Sequence, residues 1–81
     1  MTHRYGGSEF GFLKEDVRGI AVVLNGTKRP IVWVVRDATY PDMWRVQFPD
    51  GRLSTMANKV RAKDAALGHA AAILNGRAEA A

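Results

Sequence analysis

From residue 17 onward the apolar positions fall into short β-branched runs, and from residue 59 into a stripe with helical spacing. Residues 17–25 are rich in valine and isoleucine and end at Asn25-Gly26, a dipeptide that favours the left-handed turn of a hairpin. A second strand is predicted over 30–37. Its run Ile31-Val32-Trp33-Val34-Val35 is apolar on both faces, as in a central strand or one covered twice. Tyr40-Pro41-Asp42 then turns the chain. Residues 43–48 alternate cleanly, with Trp44, Val46 and Phe48 on one face and Met43, Arg45 and Gln47 on the other. In the next turn Pro49 presets φ and Gly51 accepts the left-handed position, and a short return strand is expected over 52–55. A helix is predicted over 59–75, where Ala66, Leu67, Ala70, Ile73 and Leu74 form an apolar stripe. Asn58 is placed to cap its start and Gly76 to end it, while Gly68 inside it costs about 1 kcal/mol relative to alanine.

These elements predict an α+β domain spanning 17–76: an antiparallel β-meander of three to four strands packed against one C-terminal helix, in the order β-β-β-β-α. Residues 1–16 carry Gly6, Gly7 and Gly11 without a steady period. They are expected to form a flexible N-terminal arm that docks through Tyr5, Phe10, Phe12 and Leu13. Residues 77–81 are expected to be a disordered tail.

Composition narrows the picture. With 81 residues there is room for one small domain, and twelve of its apolar residues are alanines, so a few large side chains must supply the core. No cysteine is present, which excludes disulfides and thiolate metal sites and removes any need for an oxidising compartment. The polar, glycine-rich start and the lack of an apolar run near ~18 residues predict a soluble, cytoplasmic chain without a membrane partner.

Motifs for catalysis are incomplete. Gly6 and Gly11 have the spacing of two P-loop glycines, but Phe12-Leu13 stand where lysine and a hydroxyl residue are needed. Asn25-Gly26-Thr27 matches the glycosylation pattern and reads simply as a turn. His3 and His69 lack a second ligand at helical spacing, and Ser8, Ser54 and His69 form no recognisable nucleophile–base pattern. Asp37, Asp42, Asp50 and Asp64 fall at turns or in the first helical turns, where aspartate serves the backbone. The expectation is a non-enzymatic binding module with no cofactor and no metal.

The surplus charge is uneven. The chain has 12 Lys and Arg against 8 Asp and Glu, net +4, with a pI near 10.0. Arg52, Lys59, Arg61 and Lys63 occupy a stretch without an acid, and Arg36 and Arg45 lie on neighbouring strands. Cations in the first helical turn oppose the helix dipole unless an anion joins them, which nominates a phosphate contact; the alternative is an ordinary solvated face.

Trp44-Arg45-Val46-Gln47-Phe48-Pro49-Asp50-Gly51-Arg52, then Met56, then Ala62-Lys63-Asp64-Ala65-Ala66, resembles the small DNA-binding domains of AP2 type. These include the arm-binding domains of phage integrases. The segment also resembles short bacterial and phage-borne reading frames with a similar hairpin-then-helix tail. The resemblance implies three antiparallel strands on one helix, with the outer sheet face entering the major groove of duplex DNA. Arg45 and Gln47 would then read bases, and Arg36 and Arg52 would flank them. With Lys59, Arg61 and Lys63 these make the candidate nucleic-acid-binding set.

The two-faced apolar strand supports a rival expectation, a protein partner or a homodimer. On this view the helix side bearing Asp64, Gly68, Ala71, Ala72 and Asn75 admits a close neighbour. Exposure of Met43, Val32 and Val34 together favours protein, whereas convergence of Arg36, Arg45 and Arg52 favours nucleic acid.

Overall fold

The computed structural model describes the backbone of residues 5–80 and the side chains of 5–76. His3 and the rest of the first four residues of the expected arm, and Ala81 of the expected tail, lie outside the described residues. Four strands form one sheet in the order β1 (Phe10–Phe12), β2 (Ile20–Leu24), β3 (Pro30–Arg36), β4 (Trp44–Gln47), each antiparallel to its neighbour. The helix α1 (Lys59–Ala80) packs across one face. The protein is thus an α+β domain with an antiparallel meander on a C-terminal helix.

The fourth strand comes from a different place than expected. It is β1, inside the stretch read as an arm: after a 3₁₀ turn at Gly7–Glu9, Phe10 pairs with Leu24 and Phe12 with Val22, and Phe10 is buried in the core. The expected return strand at 52–55 is reduced to isolated bridges. Gln47 pairs with Leu53 and Trp44 with Ala57, and the Ser54 hydroxyl takes the N–H of Val46. A serine side chain standing in for a backbone partner closes this sheet edge without a regular ladder.

The first predicted strand begins three residues late. Asp16 and Gly19 exchange backbone hydrogen bonds at 3.0 Å in a tight turn, leaving Val17 fully exposed at its tip. Gly19 has φ of 122°, and a Cβ there would lie 2.3 Å from the Val34 carbonyl oxygen, so only glycine brings the turn this close to β3.

Inside the sheet, Val22 faces Val32 but Val23 faces Pro30, a bulge that leaves Ile31 as the extra residue. Ile31 and Val32 are both buried in the helix-side core as a result. That core stacks Val22, Val32, Val34 and Val46, all at 0% exposure, against Ala62, Ala66, Ala70 and Ala71 of the helix. Small helix residues bring the helix close to a valine surface, while Leu67, Ile73, Leu74 and Phe48 are half-buried around this centre. Ala71, expected on the far side, belongs to the core.

Asn58 caps the helix as predicted: its Oδ1 accepts the N–H of Arg61 at 2.9 Å. The helix does not stop at Asn75. Gly76 keeps a negative φ, and the backbone of 77–80 continues helical where a disordered tail was expected. The Asn75 amide is engaged elsewhere. It accepts the Tyr5 N–H at 2.7 Å and donates to the Tyr5 carbonyl at 3.1 Å, tying residues seventy apart in sequence.

Candidate functional site

The helix covers one face of the sheet, and among the described residues no other element packs across the opposite, open face. Strand alternation assigns Ala21 and Val23 of β2, Trp33 and Val35 of β3, and Arg45 and Gln47 of β4 to the open face. Trp33 lies directly between Ala21 and Gln47, and Val35 beside Arg45. All are partly exposed except Val23, which is buried. Val32 and Val34 are on the covered face, so the exposed trio with Met43 that would favour a protein partner does not form. The expected two-faced strand is real, but Trp33 and Val35 make its outer half.

Beside Trp33 is a concavity of ≈ 390 Å³, lined by Arg18, Gln47, Phe48, Pro49 and Gly51 as well as the indole. Among the described residues, neither the Arg18 guanidinium nor the Gln47 amide has a side-chain partner. The Asp16 carboxylate turns back onto the Arg18 backbone N–H at 2.8 Å.

The cations chosen from the sequence are spread over the molecule. Arg45 is on the open face but is tied down: Nε donates to Asp37 Oδ1 at 2.6 Å and Nη1 to the Ser54 carbonyl at 2.8 Å. Asp37 also accepts the N–H groups of Thr39 and Tyr40. The Arg45 hydrogen bond, then those backbone donors, hold the Asp37 carboxyl below its ordinary value. Arg52 sits on the Pro49–Gly51 turn, paired with Asp50 at 2.6 Å and 5.5 Å from the Phe48 ring centroid. Its backbone N–H, then its guanidinium, lower the Asp50 carboxyl.

Arg36 and Lys59 belong to the covered side. The Arg36 guanidinium lies 5.2 Å and the Lys59 ammonium 4.9 Å from the centroid of buried Trp44. Glu15 bridges them, 3.2 Å from Lys59 and 3.8 Å from Arg36. Lys63 rests 4.5 Å from the Phe12 ring centroid, and Arg61 is exposed. The anion that the helix start lacked is therefore supplied by the chain itself, from the connection between β1 and β2. Arg36, Arg45 and Arg52 do not converge.

Other candidates resolve into structural roles. His69 meets Phe48 edge-on at 4.9 Å, and Ser54 Oγ accepts from Val46 and donates to the Thr55 carbonyl. Among the described residues no group of three or more His, Asp or Glu is placed to hold a metal ion, and no helix is long and apolar enough to cross a membrane.

Trp33 and Arg18 were not singled out as site residues from the sequence. The signal for Trp33 was present: once Val32 and Val34 face the helix, alternation puts Trp33 and Val35 beside Arg45 and Gln47. Arg18 had no such signal, because its place depends on the tight turn at Gly19. Set against protein-family models, curated proteins and solved structures, the chain matches none.

Proposed function

We propose that this chain is a small, non-enzymatic binding module that engages a protein partner through the open face of its sheet. The observation that carries the proposal is Trp33, partly exposed at the middle of that face among Ala21, Val35 and Gln47 and lining the concavity beside them. Tryptophan and arginine dominate protein interfaces because they bury much area and desolvate well around a small centre. A cytoplasmic setting is part of the proposal, since a cysteine-free chain needs no oxidising compartment.

The competing reading is duplex DNA on the same face, favoured by Arg45 and Gln47 lying side by side on the outer surface of β4. Against it, Arg45 must give up Asp37 and Ser54 to reach a base, and Lys59 and Arg36 already hold Glu15.

Site-specific photo-crosslinking in the native host separates the two. A benzophenone amino acid at Val35 on the open face should give one discrete, protease-sensitive adduct, and one at Val60 on the exposed helix surface should give none. A nuclease-sensitive adduct at residue 35, or equal labelling at both sites, overturns the proposal.

A further inference from the structure

The open face is small. Four strands at about 4.8 Å spacing and some five residues at about 3.3 Å each give a surface of roughly 300–400 Å². A standard globular interface buries about 800 Å² of accessible surface on each partner and spreads beyond a footprint of this size. A second copy docked on this face alone falls well short, and two chains at net +4 repel each other. A short linear segment fits the area.

The chemistry of the face limits what such a segment carries. Trp33 offers an aromatic surface beside the ≈ 390 Å³ concavity, flanked by Pro49 and the Gln47 amide. Carboxylates around this side are engaged: Asp37 with Arg45, Asp50 with Arg52, Glu15 with Lys59 and Arg36, and Asp16 with the Arg18 backbone. Arg18 lines the concavity and keeps its guanidinium free of described partners. A nucleic-acid strand repeats its phosphates and needs a row of cations. Of the two arginines placed at this face, Arg18 and Arg45, only Arg18 is uncommitted, and one free guanidinium suits one carboxylate.

Resting on the protein-binding reading above, we infer that the partner presents a short acidic segment with an aromatic side chain. The ring stacks on Trp33 in the concavity, its polar neighbours meet the Gln47 amide, and a flanking carboxylate pairs with Arg18. Charge complementarity with a chain of net +4 acts in the same direction.

The test is fluorescence anisotropy with a fluorescein-labelled peptide, Asp-Glu-Phe-Asp-Glu, titrated with the full chain at low salt. Saturable binding is expected. Trp33→Ala should weaken it at least tenfold and Arg18→Gln about fivefold. Lys28→Gln, which removes one charge elsewhere, should change it less than twofold. Circular dichroism checks that each variant is folded, and Arg18→Gln alters only an exposed side chain. No binding at millimolar chain, equal weakening by Lys28→Gln and Arg18→Gln, or tighter Trp33-dependent binding of a (dT)15 strand overturns the inference. If the peptide fails while residue 35 still crosslinks to a protein, the acidic-segment inference falls and the protein-binding reading stands. If the crosslink is absent as well, both fall.

Discussion

The two faces of this sheet are built from adjacent residues of the same strands and obey different rules. On the covered face, Val22, Val32, Val34 and Val46 pack to 0% exposure against helix alanines, with no polar residue buried among the described residues. On the open face, the neighbours of those valines are Trp33, Val35, Arg45 and Gln47, all partly exposed, with Arg45 alone of these fastened by an ion pair and hydrogen bonds. One face gains its stability from burial, and the other keeps side chains accessible at the cost of leaving apolar area in water. An 81-residue chain has little stability to spare, and leaving Trp33 partly exposed forgoes some of the burial it could use.

The sharpest way to break this comparison is to place the same charge on both faces. Val34→Asp inserts a carboxylate where no partner exists and should cost about 4 kcal/mol or more, enough to unfold most of the population. Val35→Asp, one residue away on the open face, should cost about 1 kcal/mol or less. Urea unfolding followed by far-ultraviolet circular dichroism measures both. Similar losses from the two substitutions mean that the open face is covered in solution.

The tryptophans supply a second matched pair with a smaller effect. Trp44 is 5% exposed and contacted by the Arg36 and Lys59 cations, so Trp44→Ala should lose about 3–5 kcal/mol. Trp33→Ala, whose side chain keeps part of its surface in water, should lose less, about 2 kcal/mol. The urea midpoints of the two variants give the ratio. A Trp33→Ala loss as large as that of Trp44→Ala makes Trp33 a core residue and removes the binding proposal.

Much of the fold was legible because strands and helices obey periods. Alternation at 43–48 placed Trp44 and Val46 inside and Arg45 and Gln47 outside, and the 3.6 spacing found Ala66, Leu67, Ala70, Ile73 and Leu74. What escaped were pairings between distant segments. Nothing in Phe10-Gly11-Phe12 specifies a strand until Leu24 and Val22 lie beside it. The Asn75 amide met Tyr5 where a helix stop was expected, because the sequence cannot show which segment crosses the helix end. The candidate site followed the same rule. Adjacent cations at 52–63 formed a cluster on paper, but Glu15 and Trp44 from remote positions divided it. A cation's availability depends on its spatial partners, which lie outside any local window.

The smallest effect concerns how the open face is fastened, and it is visible only through pH. The Asp37 carboxyl is held below its ordinary value of 3.8, first by the Arg45 hydrogen bond and then by the Tyr40 and Thr39 N–H groups. A carboxyl whose folded pKa is depressed binds its proton more readily in the unfolded chain. Its contribution is therefore complete above the unfolded value and is lost as pH falls through the folded one. Asp37→Asn keeps an acceptor for Thr39 and Tyr40 but removes the charge that holds Arg45. The stability gap between wild type and Asp37→Asn should stay constant from pH 7 to about 5 and narrow below 3.8. Urea midpoints across pH 2.5–7 should trace that narrowing. The apolar pair Val34 and Val46 on the covered face titrates nothing, so Val34→Ala should give a gap with no such dependence. If the Asp37→Asn gap is flat as well, Arg45 is not fastened by the carboxylate, and its guanidinium becomes available to a ligand on the open face.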